Sequence, residues 1–335
     1  ITPTGFSIPS SSTGNVNEYN EGYIYIAIRR PMKTPESGTE VFAVGTNQEV
    51  PSATSGFYSG FPVDMAIKRI ITASQSNYLF DRLRGGKALV TNTTAAESGF
   101  GAAEFDHQQG WYYDSDSANT NDYSWMFKRA TGFFDVVAYT GTGVARTVAH
   151  NLGVVPELMI VKQRSGSSES WTVWNKTIAA SNSAATLWLN STSAVNNFAN
   201  RFNSTAPTDS VFSVEGDVST NGSGSTYINY LFATLAGVSK VGSYTGTGSN
   251  VDVDCGFSAG ARFILIKRTD SASQWYLWDS KRGIVAGNDP WIELNNTNAQ
   301  NSGQDALDPL ASGFTVTAAA DVNQSGGTYI FLAIA

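Results

Sequence analysis

The chain is poor in charge, cysteine and histidine. Only 15% of its 335 residues are charged, below the roughly 25% of an average soluble domain, and the net charge is −7. A single cysteine excludes an internal disulfide, and two histidines argue against a histidine-based metal site. The sequence has no Lys/Arg cluster to bind a phosphate backbone, and no apolar run approaches the roughly 20 residues of a membrane span. We therefore expect neither a nucleic-acid partner nor membrane insertion.

What the chain does contain is a repeat. Hydrophobic residues make up 41% and aromatic residues 12%, which is enough for a packed core. Tyr139 and Tyr244 open the same Y-T-G-T-G motif 105 residues apart, and the same interval separates Lys162 from Lys267 in the blocks LMIVKQR and FILIKR. Further blocks follow in the same order, and weaker versions precede them. Such self-similarity predicts an architecture of repeated units.

The repeat predicts the domain organisation. We expect the tail of one unit at 1–30, a linker at 31–38, a divergent unit at 39–131, and further units at 132–236 and 237–335. Because the segment 1–30 holds only the closing blocks of a unit, we expect that unit to begin upstream of Ile1. The junctions between the later units are short, which limits motion between domains and predicts a stiff string of beads.

Each block has the composition of a β-strand. The blocks are short, rich in Val, Ile, Tyr, Trp, Phe and Thr, and bounded by Gly, Ser, Asn and Asp. LMIV and FILI are continuous apolar runs, which indicate strands that are buried on both faces. About seven strands per roughly 100 residues predict an all-β fold of tandem antiparallel β-sandwiches, Ig-like or jelly-roll-like.

The aromatic residues are the main candidates for ligand binding. Trp174 and Trp278 hold equivalent places in two units, which favours core packing. Trp171 and Trp275 alternate with them along the strand, so they face the other way and would be available for sugar stacking if that face is exposed. The remaining candidates form one aromatic run: Trp111, Tyr112 and Tyr113.

One polar loop has oxygen donors at alternate positions. Asp114, Asp116 and Asn119 could provide part of a Ca²⁺ ligand set. The loop lacks the sixth-position glycine and the terminal glutamate of an EF-hand, and a solvated loop of turn-forming residues is the other interpretation. No other cofactor is expected.

The sequence does not predict an enzyme. No nucleophile is tied to His150, whose counterpart in the next unit falls near Cys255, and His107 has no repeat counterpart. A polysaccharide depolymerase remains an alternative that would need two carboxylates facing each other across a cleft. Its candidates, Glu104 and Asp106, are not related by the repeat.

The blocks resemble an uncharacterised repeat domain of roughly 100 residues in virion proteins of marine tailed bacteriophages. The shared pattern is a Y-x-G-x-G turn, an H-x-L-G-x-x-P segment ending in lysine, a W-x-V-W strand and a closing Y-I-x-x-A-I strand. The second unit matches best, while the third lacks the H-x-L-G-x-x-P segment at 255–261. The matching residues of the second unit are Tyr139, Gly141, His150, Leu152, Gly153, Pro156, Lys162 and Trp174.

The resemblance implies a non-enzymatic structural protein located in the virion, at the tail or capsid surface, after synthesis in the host cytoplasm. We expect a tail fibre or surface appendage that mediates host attachment. Head decoration and a lectin-like carbohydrate-binding module are the alternatives. The expected partners are other virion proteins, further copies of the chain in a homo-oligomer such as a trimer, and host-surface glycans.

Overall fold

The computed structural model describes residues 23–26, 32–47, 56–99, 103–113, 119–166, 168–318 and 320–335. Within these ranges the chain forms 25 strands and only short helices, and the strands pair antiparallel. The predicted all-β, sandwich-type fold is confirmed. The predicted partial unit at 1–30 lies outside the described residues except for 23–26.

The first unit consists of a six-stranded main sheet and a three-stranded small sheet. A 3₁₀-helix at Gly38–Glu40 precedes it. The main sheet has the order β1-β9-β3-β4-β5-β6 and the small sheet the order β2-β8-β7. The strands are β1 Phe42–Asn47, β2 Phe57–Tyr58, β3 Met65–Ile70, β4 Tyr78–Asp81, β5 Lys87–Val90, β6 Ser98–Gly99, β7 Ala103–Glu104, β8 Gly110–Tyr113 and β9 Asn119–Phe127.

The second unit repeats this plan. Its main sheet has the order β10-β17-β12-β13-β14-β15, and its small sheet pairs β11 with β16. The elements are β10 Phe134–Thr140, β11 Arg146–Ala149, β12 Leu158–Gln163, β13 Thr172–Asn175, α1 Lys176–Ser181, β14 Ala185–Trp188, β15 Asn196–Asn197, β16 Val211–Val214, α2 Val218–Asn221 and β17 Thr226–Phe232.

The third unit closes the chain. Its main sheet has the order β18-β25-β20-β21-β22, and its small sheet the order β19-β24-β23. The elements are β18 Ser239–Thr245, β19 Val251–Asp254, β20 Phe263–Arg268, β21 Trp275–Asp279, β22 Trp291–Glu293, β23 Leu307–Leu310, β24 Gly313–Val316, α3 Ala320–Asn323 and β25 Thr328–Ile334.

Strand register identifies the equivalent residues of the three units. Each main sheet pairs a closing strand with a central strand, and that central strand also pairs with the following hairpin strand. The residues aligned across these three strands are Phe127, Met65 and Asp81 in the first unit, Phe232, Leu158 and Asn175 in the second, and Ile334, Phe263 and Asp279 in the third. Each of these three sets marks the same position in its main sheet. Residues that lie the same number of positions away from it along equivalent strands are therefore counterparts.

The main sheets bury both faces. One face of each sheet covers a separate core under its own small sheet. The other faces meet in one shared core, where the Phe127 ring lies 5.9 Å from Phe232 and 5.7 Å from Phe263, measured between centroids. This double burial explains the continuous apolar sequence of β12 and β20, as predicted.

The three units close into a ring. The carbonyl oxygens of three equivalent residues, one beyond each central strand, accept a backbone N–H from the neighbouring unit. The pairs are Glu97 N to Arg164 O at 3.0 Å, Val195 N to Thr269 O at 3.0 Å, and Gln300 N to Ile71 O at 2.8 Å. The first unit therefore donates to the second, the second to the third, and the third back to the first. The arrangement is pseudo-threefold.

The expected string of beads is therefore wrong. In a linear array the inner faces of the main sheets would expose apolar side chains to solvent, and burying them against one another removes that cost. Short junctions restrict the units, but they place them side by side around a common axis. Whether each unit is an independent domain with the expected boundaries stays a prediction.

Candidate functional site

Trp171 and Trp275 lie at the interfaces between units. Their relative exposures are 0% and 2%, and each indole N–H donates to a carbonyl of the preceding unit: Trp171 Nε1 to Val90 O at 3.0 Å, and Trp275 Nε1 to Trp188 O at 2.9 Å. Exposure was the condition for a sugar-stacking role, and it is not met. Ligand binding by these residues stays a prediction that their burial disfavours.

The first unit has an asparagine at the same position. Asn77 is completely buried, and its Nδ2 donates to Glu293 O at 3.0 Å, at the equivalent position of the third unit. The residue at this register position therefore donates a hydrogen bond across each of the three interfaces. The donor is an indole in two units and a carboxamide in the first. Repetition of the tryptophans was the sequence signal, but it could not reveal that Asn77 performs the same task.

Buried cations form a second set of equivalent contacts. Lys162 Nζ donates to Thr94 O at 2.9 Å and Lys267 Nζ donates to Thr192 O at 2.8 Å, each across an interface. Arg69 takes this place in the first unit and donates to Asn298 O. Burial lowers the pKa of Lys162 and of Lys267 to about 8. The strand register makes Arg69, and not the neighbouring Lys68, the counterpart of Lys162.

The aromatic run of the first unit belongs mostly to its outer core. Trp111 and Tyr113 are buried, and Trp111 Nε1 donates to Ser124 Oγ at 3.0 Å. Tyr112 faces the other side of β8, is half-buried, and lies 3.7 Å from the His107 ring between centroids. Of the five aromatic candidates, Tyr112 therefore presents the most accessible surface.

The structure describes only one of the three predicted calcium ligands. Asp114 and Asp116 lie outside the described residues, and Asn119, at the start of β9, accepts a hydrogen bond from Asn121 N at 2.9 Å. Among the residues that the structure describes, no three His, Cys, Asp or Glu side chains form a group that could hold a metal ion. The calcium site stays a prediction.

His150 has a local structural role. Its Nδ1 accepts Leu152 N at 3.3 Å, so Nε2 is the protonated nitrogen that lies 3.1 Å from Thr208 O. Burial lowers the pKa of the imidazole. Cys255 occupies the equivalent place, since both backbone N–H groups bond to the loop before the next small-sheet strand, and burial raises its thiol pKa to about 12. Neither side chain is poised as a nucleophile or base.

The Y-x-G-x-G turn is held by the short helix of its own unit. Tyr139 OH donates to Thr220 O at 2.6 Å, and Asn221 accepts Thr142 N at 3.0 Å. A Cβ on Gly141 would lie 2.2 Å from Gly222 O, so only glycine fits. The third unit repeats the arrangement with Tyr244, Thr247, Asn323 and Gly246. The motif is therefore structural.

The comparison with protein families gives an assignment for most of the chain. A family described as a domain of unknown function, DUF7483, matches residues 39–335. The chain belongs to this family. The DUF7483 match begins just before β1 and ends with β25, so it spans all three units of the ring. No curated protein matches the chain.

The described part of the chain contains no helix long and apolar enough to cross a membrane. The three α-helices of this described part are Lys176–Ser181, Val218–Asn221 and Ala320–Asn323.

Proposed function

We propose that this DUF7483 chain is a structural, non-enzymatic module of a bacteriophage particle, within a tail fibre or surface appendage that attaches the particle to its host. The proposal rests on the resemblance of its repeat blocks to virion proteins of marine tailed phages. The ring supports the proposal, since three units that share one core form a stiff body suited to an appendage exposed to solvent.

The observation that carries the non-enzymatic part is the use of the reactive side chains. His150 is held between Leu152 N and Thr208 O, and the Cys255 thiol is buried with a raised pKa. Lys162 and Lys267 donate to carbonyls across interfaces. Groups with two or three structural partners are poorly placed for proton transfer or nucleophilic attack.

Attachment would work through repetition of weak contacts. The ring presents three similar outer faces, each made by a small sheet, and an oligomer of the chain would multiply them. Linked weak sites raise overall avidity without any new contact. In the trimer expected for a fibre, three copies of this pseudo-threefold ring would lie next to one another.

The proposal is tested by locating the chain in its source particle. Fab fragments raised against the purified chain should label a projecting fibre or the tail tip in electron micrographs, and free chain should compete with particle adsorption to host cells. Heat-unfolded chain is the matched control for competition. Label over the capsid would overturn attachment in favour of head decoration.

A glycan test distinguishes the remaining alternatives. Binding of the folded chain to an array of bacterial surface glycans, without cleavage of the bound glycan, would support the lectin-like module. Shortening of the glycan during incubation would overturn the non-enzymatic proposal.

A further inference from the structure

The outer core of the first unit contains a buried pair of opposite charges. Lys68 Nζ lies 2.7 Å from Asp122 Oδ2, and the side chains are 5% and 0% exposed. Lys68 is on β3 and Asp122 on the neighbouring β9, one diagonal step apart in the antiparallel register. The Tyr113 ring covers the amine, with its centroid 4.6 Å from Nζ.

The other two units have no charge at these positions. The register equivalents of Lys68 are Val161 and Ile266, and those of Asp122 are Tyr227 and Tyr329. Each of these tyrosines stacks on the tyrosine of its Y-x-G-x-G turn, at centroid distances of 5.2 and 4.9 Å. The first unit has replaced this apolar arrangement with an amine and a carboxyl group.

Condensation of the pair would start from its neutral form, which burial makes more accessible than it is in water. Burying two charges costs several kcal/mol per ion, and transfer of one proton from the ammonium to the carboxylate removes both charges. The products are a free amine, which is a nucleophile, and a carboxylic acid, which is an electrophile. The N–O separation of 2.7 Å keeps Nζ in contact with the carboxyl group that it would attack, and holding two reactants together lowers the barrier to their reaction.

We propose that Lys68 and Asp122 condense into an intramolecular amide that links β3 to β9. Nζ attacks the side-chain carboxyl carbon of Asp122, and the C–N bond forms as one C–O bond breaks. The departing hydroxyl takes a proton from the amine nitrogen and leaves as water. No oxidant, reductant or further reactant is needed. The amide ties together the two central strands of the main sheet.

The other lysine–carboxylate pairs provide an internal control. Lys87–Glu97 has a separation of 3.2 Å with 55% of the lysine side chain exposed, and in Lys176–Glu157 the lysine side chain is 43% exposed. Both of these lysine side chains are accessible to water, so the two pairs lack the burial that distinguishes Lys68–Asp122. Within the described residues, Lys68–Asp122 is the lysine pair in which both side chains are buried.

The experiment is the intact mass of the folded full chain. The amide predicts a mass about 18 Da below that of the sequence, the mass of one water molecule. Tryptic digestion should give a branched peptide that joins residues 34–69 to residues 88–128, because a modified Lys68 is not cleaved. The peptides with Lys87 and Lys176 should be unmodified.

Two variants identify the bond. Lys68→Arg keeps a cation but cannot form the amide, so its mass should equal that of its sequence, with the fold checked by circular dichroism. Asp122→Asn should lose about 17 Da, because ammonia then replaces water as the leaving molecule. An unmodified wild-type mass, or a loss of about 18 Da that persists in Lys68→Arg, would overturn the proposal.

Discussion

The indole N–H of Trp125 donates to Asp279 Oδ2 at 2.9 Å, across the interface between the first and third units. The equivalent contact between the second and first units is Tyr230 OH to Asp81 Oδ2 at 2.6 Å. Each carboxylate also binds an arginine three residues later, Arg282 and Arg84. Two corners of the pseudo-threefold ring are therefore buried polar networks with the same design.

The third corner is apolar. Strand register makes Leu332 the equivalent of the donors Trp125 and Tyr230, and it places Asn175 at the carboxylate position. Ile178 stands where the other corners have arginine. The donor, the carboxylate and the arginine are thus all absent from this corner. Their joint absence is expected, because a buried carboxylate without its partners is strongly destabilising.

Removing the donor from one polar corner should destabilise the ring. Trp125→Phe deletes a buried hydrogen bond to a carboxylate, and we expect a loss of about 1.5–3 kcal/mol in the free energy of unfolding. Trp278→Phe is the matched control, since Trp278 is 1% exposed and its Nε1 has no hydrogen-bond partner among the described residues. The difference between the two variants in urea denaturation isolates the hydrogen bond. Equal losses would contradict this assignment.

The apolar corner should accept the polar design only as a set. Leu332→Tyr alone buries an unpartnered hydroxyl, and Asn175→Asp with Ile178→Arg alone buries a network that lacks its donor. We expect each to destabilise the chain, and we expect the triple variant to recover at least about 1 kcal/mol of the summed loss. Leu332 lines a cavity of about 30 Å³ in the shared core, so part of the larger side chain has room.

A double-mutant cycle measures this recovery from four urea denaturation curves. The four proteins are the wild-type chain, Leu332→Tyr, the double variant Asn175→Asp/Ile178→Arg and the triple variant, and together they give one coupling energy. Strict additivity would mean that the three corners are not equivalent.

Much of the fold could be predicted from sequence, because strand composition and double-sided burial are written in local patterns such as LMIV and FILI. Ring closure could not. A repeat interval reveals that Trp171 and Trp275 are equivalent, but the partners of these indoles are the backbone carbonyls of Val90 and Trp188, which have no sequence signature. For the same reason, the sequence leaves open that Trp171 and Trp275 face solvent and bind a ligand, and only the structure shows that they are buried between units.

The Y-x-G-x-G turn should tolerate no side chain at its first glycine. In Gly141→Ala the new Cβ would lie 2.2 Å from Gly222 O, so the turn or α2 must shift, and we expect a cost of about 1–3 kcal/mol. Gly246→Ala meets Gln324 O at 2.4 Å and should behave alike. Gly99→Ala serves as the control because its Cβ has open space. The check is thermal denaturation of the three variants, followed by circular dichroism. Equal melting temperatures for all three would refute the close-packing explanation.

The ring interfaces should make the protein more stable at mildly alkaline pH. Burial lowers the pKa of Lys162 and Lys267 to about 8, while unfolded lysine titrates near 10.4, so the unfolded state binds more protons between these values. The free energy of unfolding therefore rises with pH from about 8 to 9.5, by up to roughly 1.4 kcal/mol per pH unit for each lysine. Above about 10 it should fall, because burial raises the pKa of Tyr139 and Tyr244.

The double variant Lys162→Arg/Lys267→Arg tests the source of this slope. Arginine already occupies the equivalent position at Arg69, so the interfaces can hold it, and it keeps the donors to Thr94 O and Thr192 O. Urea denaturation at a series of pH values should show a reduced rise between pH 8 and 9.5 in the double variant. Lys128→Arg, at a junction away from these carbonyls, should retain the wild-type slope. A double variant with an unchanged slope would place the titrating groups elsewhere in the molecule.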